Sequence, residues 1–290
     1  MTAPQKTHRL RLILLCALSV LALCPLWLAN PRSAKALAEK TPTLSTVEQL
    51  QEDLKNAPCR SSERLKAAQA IFTKMGATPD SMTIENPGGI KNLVIKQNGK
   101  PDEIIVVGAH YDKTIQGCGA IDNWTGIVTI AHVFRTLKET NPNKTILFVA
   151  FGDEEEGMLG SKAMVGKFRK EDLGHYCAMI NIDSLGMTEP HVATNMSTKQ
   201  MQAIASEVGK SIGIPVTESP INGGDSDSSS FSDRKIPALT IDGLTRDWSK
   251  VLHTANDQTS RIDPKLVYQG YKLTLAVIDK IDKSECSAFR

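Results

Sequence analysis

Three short apolar runs in this chain lead directly into side chains that can hold or move charge. Residues 103–107 run into Gly108, Ala109, His110, Tyr111 and Asp112; residues 145–151 into Gly152, Asp153, Glu154, Glu155 and Glu156; residues 177–182 into Asp183, Ser184, Leu185 and Gly186. Singly, each has an ordinary structural explanation: a histidine after a strand is commonly just hydrogen-bonded, adjacent acids commonly open a helix, and an aspartate in a turn commonly caps it. Together they place several carboxylates on one rim, where mutual repulsion is destabilising unless a cation sits among them. Imidazoles and carboxylates without a thiolate cluster suit zinc in an open catalytic site, because structural zinc prefers closed, cysteine-rich shells.

The elements that must carry these residues follow from the hydrophobic pattern. Residues 92–96 and 103–107 are strand-like, and Asn98 with Gly99 between them suits a hairpin turn. Residues 145–151, 177–182 and 237–241 are short runs of β-branched and apolar residues, as expected of buried central strands. Helical patterns cover 62–75, 124–138, 157–168, 199–212 and 265–283. The alternation predicts an α/β fold, a three-layer sandwich with a mixed, mostly parallel central sheet flanked by helices. In such a sheet the ligand crevice lies beyond the carboxyl ends of the strands, which is where the charged residues fall.

Composition excludes other classes. Of 290 residues 41% are hydrophobic and 23% charged, which rules out a disordered tail or a collagen-like fibre. No long block of like charge suggests nucleic-acid binding. Five bases and no acid fall in residues 1–38, so the remainder carries 29 bases against 32 acids and is slightly acidic. That leader has the order of a secretory signal: Lys6, Arg9 and Arg11, an apolar stretch over 12–23, Pro25, then small residues ending in Ala36 and Ala38. Residues 1–38 are therefore read as a signal peptide, with a membrane anchor over 12–29 as the alternative, and 39–290 as one domain. Export, periplasmic or secreted, permits disulfides. Cys59, Cys118, Cys177 and Cys286 allow three pairings, among which sequence cannot choose; the expectation is Cys59 with Cys286, both near the chain ends, and Cys118 with Cys177, both flanking the motifs.

GAHYD at 108–112, IDNWTG at 121–126, FGDEEEGMLGS at 151–161, NIDSLG at 181–186 and LHTAND at 252–257 resemble, in order, the motifs of the M28 family of zinc aminopeptidases. The resemblance covers about residues 90–280. It implies two zinc ions, His110 and Asp183 on one, Glu155 and His253 on the other, and Asp122 bridging. Counting back from Ser161 as the family does places a ligand at Glu155 and the general base at Glu154, with Glu156 where the family commonly has an apolar residue. It further implies peptide substrates with a free N-terminus.

Elementary chemistry agrees with those roles. Ions about 3.5–4 Å apart need a ligand that spans both, which a carboxylate does and an imidazole does not. A water between the ions would lose its proton near neutral pH, and Glu154 would take that proton and pass it to the leaving amine. Asp112, two residues after His110, is placed to accept the proton of the ring nitrogen that faces away from metal. Asp257 is assigned an orienting role near His253 or, equally, a turn-capping one.

Other residues are set aside. His132 lies in an apolar helical pattern and reads as core, and His8, His175 and His191 fall outside the motifs. The run 223–233 lacks the spacing of a calcium loop and resembles the SDxxxF segment that lines the site in the family. Ser161 lacks the GxSxG context of a hydrolase nucleophile. Asn123 opens a glycosylation sequon beside the proposed bridge, which makes that match accidental. Where some family members place a tyrosine near the last histidine, Leu252 stands here, so the oxyanion donor is unassigned. The resemblance thus implies an exported metallo-aminopeptidase. The alternatives are a single-zinc enzyme similar to glutaminyl cyclases and a metal-free binding ectodomain; the full ligand set favours hydrolysis.

Overall fold

The computed structural model describes residues 42–290. The leader and the anchor alternative lie outside the described residues, as does His8. Among the described residues no helix is long and apolar enough to cross a membrane.

Eight strands form one sheet: β1 (Met82–Glu85), β2 (Asn92–Gln97), β3 (Lys100–His110), β4 (Lys144–Phe151), β5 (Tyr176–Ile182), β6 (His191–Ala193), β7 (Thr217–Ser219) and β8 (Ala238–Asp242). Their order is β1-β2-β4-β3-β5-β8-β6-β7. The four central strands β4, β3, β5 and β8 run parallel, whereas β2 joins β4 and β6 joins β8 antiparallel. Central strands read as continuous apolar runs because both faces are covered. Ile105, Val107 and Ala109 enter one core with α3 (Thr125–Leu137) and α7 (Pro264–Asp282). The alternate residue Val106 enters the opposite core with Met164 of α4 (Leu159–Gly166) and Phe231 of α6 (Asp227–Asp233). Two cores on the two faces of one sheet make the three-layer α/β sandwich.

The first core also holds Leu50 of α1 (Val47–Leu54) and Phe72 of α2 (Ser61–Lys74). The fifth helix, α5 (Lys199–Ser211), adds Met201 and Ala205. Helix ends follow local rules. Thr46 and Gln49 form a reciprocal cap on α1, and Asp263 caps α7 ahead of Pro264 at its first position.

Two expectations are corrected. Asn98 and Gly99 do not close a hairpin: β2 and β3 both pair with β4, which lies between them. Gly99 instead passes over the start of β4, where a Cβ would sit 2.3 Å from the backbone of Lys144. The signal at Asn98–Gly99 is local, but the pairing is decided by β4, which satisfies hydrogen bonds of both strands. The disulfides join Cys59 with Cys118 and Cys177 with Cys286. Position along the chain misleads because the segment after α7 returns to the start of β5, where Arg290 donates to the Tyr176 carbonyl at 2.9 Å. The short edge strands and the serine-rich α6 give no hydrophobic period and are not legible in the sequence.

Candidate metal centre

The carboxyl ends of the central strands deliver the charged groups. His110 is the last residue of β3, Glu154 and Glu155 follow β4, and Asp183 follows β5. Asp122 comes from the irregular turn before α3, and His253 from a loop far along the chain. Asp153, Ser184 and His253 all adopt φ values between 55° and 60°. Such left-handed backbone in non-glycine residues costs about 1–3 kcal/mol and clusters where geometry serves function.

Asp122 stands at the middle of the group. Its Oδ1 lies 3.0 Å from His110 Nε2, and its Oδ2 lies 3.0 Å from His253 Nε2. His110 Nε2 is also 3.5 Å from Asp183 Oδ1 and 4.0 Å from Glu154 Oε2, and His253 Nε2 is 3.2 Å from Glu155 Oε2. Two trios result, His110 with Asp122 and Asp183, and Asp122 with Glu155 and His253, in each of which the donor atoms lie within 4.8 Å of one another.

The electrostatics are those of crowded acids. Burial, and then the charges of Asp227, Asp183 and Asp122, push Glu154 up to about 10 against the pull of His110. Burial alone would depress His110, but Glu154, Asp112, Asp122 and Asp183 outweigh it and raise it well above the ordinary value. Hydrogen bonds to Asp122 and Glu155 raise His253 to about 10. Burial opposes ionisation of Asp122, yet the two imidazoles hold its carboxyl far below the usual range. The donor set fits divalent cations. Such ions relieve carboxylate repulsion, and Glu155 Oε1 and both oxygens of Asp227 are buried without hydrogen-bond partners.

A surrounding layer fixes these groups. Asp112 accepts the N–H groups of Glu154 at 3.0 Å and Glu155 at 3.1 Å, so it sets the acidic run as well as standing 3.6 Å from His110 Nδ1. Asn123 is fully buried; its Oδ1 accepts from the backbone of Gly126 and Ser184, and its Nδ2 donates to the Ile182 carbonyl. That ties the Asp122 turn to the end of β5. Of the two readings of Asp257, the turn-capping one matches its hydrogen bonds rather than the one beside His253. It accepts the N–H groups of Ile121 and Asp122.

Sequence reasoning missed Ser226 and Asp227 as individuals. Ser226 Oγ donates to Asp183 Oδ2 at 2.6 Å, while Asn181 donates to Ser226 at 2.6 Å. Asp227 is fully buried, and burial pushes it up to about 7. The run 223–233 was the available signal. His132 is a core residue, bonded to Ser45 and Asp53, and lies outside the cluster.

The cluster opens into a cleft of about 280 Å³. Glu154 and Asp183 line it together with the apolar side chains of Met196, Ile221, Leu244, Trp248 and Leu252.

An α/β sandwich with carboxylates and imidazoles gathered at the carboxyl ends of its parallel strands is of the α/β class whose ligand crevice lies at that edge. The model of Peptidase family M28 matches residues 92–278, and the chain belongs to that family. Among curated relatives it is 28% identical over 218 residues to aminopeptidase YwaD of Bacillus subtilis, an alignment covering 71% of this chain and 46% of that protein. It is 27% identical over 221 residues to leucine aminopeptidase 1 of Paracoccidioides brasiliensis, covering 67% and 56%. The chain thus spans about half the length of these relatives. The solved structure of BSAP, a zinc aminopeptidase from Bacillus subtilis, superposes with a TM-score of 0.60 at 26% identity over 69% of this chain and 52% of that one. A glutaminyl cyclase from an Acidobacteriales bacterium superposes with a TM-score of 0.71 at 17% identity, covering 86% and 99%, a likeness of fold alone.

Proposed function

We propose that this protein is a zinc-dependent aminopeptidase that hydrolyses the N-terminal residue from peptides. The observation that carries the reading is Asp122, whose two oxygens each lie 3.0 Å from a different imidazole and so face two separate donor trios. In this reading His110 and Asp183 hold one zinc ion, Glu155 and His253 a second, and Asp122 both. Bound zinc would supply a Lewis acid that acidifies water and polarises a carbonyl.

The chain's own residues do the rest. Glu154 lines the cleft; with bound cations offsetting the neighbouring carboxylates that raise it, it would be ionised, take the proton of the attacking water and return it to the departing amine nitrogen. Its neighbour Glu155 points into the second trio, so adjacent acids separate proton transfer from binding. Asp112 holds both through their backbone N–H groups. The acidic groups lining the cleft suit a cationic free amine, and among the described residues no lysine or arginine lines it. The two disulfides fit a protein exported to an oxidising compartment.

The test is metal analysis of the purified full chain together with chelator-sensitive cleavage of aminoacyl anilides. Two zinc ions per chain with hydrolysis that chelator abolishes is the expected result. One zinc with cyclisation of N-terminal glutamine, or a metal-free protein with neither activity, would overturn it.

A further inference from the structure

Arg64 lies on α2, outside residues 92–278 that match the family model, and its side chain is fully buried. Burying a guanidinium is expensive unless its donors are satisfied. Here the hydrogen bonds go to backbone carbonyls. Nε donates to Tyr111, Nη1 to Pro58 at 3.0 Å and to Cys118 at 2.9 Å, and Nη2 to Gly119 at 3.1 Å. The guanidinium carbon also sits 5.7 Å from the centre of the Trp124 ring.

Two of those acceptors, the Tyr111 and Gly119 carbonyls, bound the loop that joins His110 to Asp122. Tyr111 follows His110 directly. Gly119 opens the turn that contains Asp122, and the Trp124 N–H closes that turn on the same Gly119 carbonyl at 3.1 Å. Arg64 therefore grips the turn at both its ends, at the Gly119 carbonyl and at the Trp124 ring. Gly119 has φ +58°, and a Cβ there would meet Lys113 Cβ at 2.6 Å and Arg64 Nη1 at 3.1 Å, so the approach requires glycine. The Cys59–Cys118 disulfide binds the same loop to the residues just before α2. Arg64 also compensates charge. Burial lowers it to about 10, still cationic, with Asp112, Asp122, Asp257 and Glu155 acting to keep it so.

We infer that Arg64 is a positioning residue for metal binding: by holding the Tyr111 and Gly119 carbonyls it sets the separation of His110 from Asp122. The inference rests on the zinc reading above. The planar fork matters as well as the charge, because one ammonium cannot span four carbonyls in fixed directions.

The experiment compares the full-length protein with R64K and R64M. It starts from wild-type protein carrying two zinc ions; wild type without zinc would refute the underlying reading and is visible before any variant is made. Zinc affinity is measured by competition with a chromogenic chelator, and kcat and KM are measured separately below the melting temperature. The expected result is about 10–100-fold weaker binding of at least one ion and a comparable fall in kcat, the range for residues that orient metal ligands. KM should change by less than about threefold, since substrate is not touched, and R64K should lie between wild type and R64M. A lower melting temperature with zinc affinities and kcat of wild type would overturn the inference and leave Arg64 as packing alone. If R64M does not fold cooperatively, R64K decides: unchanged zinc affinity overturns the proposal, and weakened affinity supports it.

Discussion

Asp257 accepts the backbone N–H of Asp122 at 3.2 Å and that of the preceding Ile121 at 2.7 Å. The turn that carries His253 thereby also holds the peptide that carries Asp122, which lies 135 positions from Asp257 in sequence. A carboxylate suits this place because it is acceptor-only and presents one oxygen to each N–H. Asp257→Asn turns an amide donor toward one of those N–H groups. Zinc affinity or turnover should fall about 10–100-fold, with zinc titration as the check. An unchanged titration would mean that the turn holds its shape without this carboxylate.

Glu154 and Asp122 should fail in different ways. Glu154→Gln keeps the shape of the side chain and removes the base, so zinc content should stay at the wild-type level while kcat falls at least roughly 10²-fold. Asp122→Ala removes the group common to both trios and should lose zinc. Metal analysis beside anilide hydrolysis separates the two, and normal hydrolysis by Glu154→Gln would show that the base is another residue.

Asp242, at the end of β8, is 2% exposed, and burial pushes it up to about 7. The Leu244 N–H favours its charged form, and nearby Asp183 opposes it. His191 Nδ1 stands 3.9 Å from Oδ1. An acid raised in the folded state binds its proton more tightly there than when unfolded. Its contribution to stability is present below the ordinary aspartate value and is lost as pH rises toward about 7. At about 1.4 kcal/mol per pH unit the loss amounts to roughly 4 kcal/mol. Asp242→Asn should match wild type near pH 4 and exceed it by up to roughly that amount at pH 8. Denaturant melts of both proteins at the two pH values measure the difference.

The disulfides should part company in the same way. Cys177 lies at the amino end of β5, away from the cluster, and Cys286 just beyond α7. Replacing both by Ala should lower stability by about 2–5 kcal/mol and leave kcat at 25 °C unchanged. Replacing Cys59 and Cys118 releases the loop beside Asp122 and should weaken zinc binding as well as stability. Melts and zinc competition on the two double variants give the comparison.

Much of the site is legible in the chain because its chemistry is local to strand ends. His110, the Glu154–Glu155 pair and Asp183 each follow an apolar run directly, and parallel strands must present such residues at one edge. Asp122 and His253 stand out only through the ordered motifs, since neither follows a strand. Asp227 and Ser226 hide in a serine-rich run, where polarity alone looks like a solvated loop. Arg64 gives no sequence signal, because its partners are carbonyl groups and every residue has one.

The parallel core, five of its helices and the residue types brought to the carboxyl edge can be read from the chain alone, because alternation and apolar runs act over a few neighbouring positions. What depends on distant segments meeting is set by the folded arrangement. It placed β4 between β2 and β3, joined Cys59 to Cys118, and aimed the two oxygens of Asp122 at two different imidazoles. Hydrogen-bond and disulfide partners are chosen by distance in space, which chain spacing does not encode.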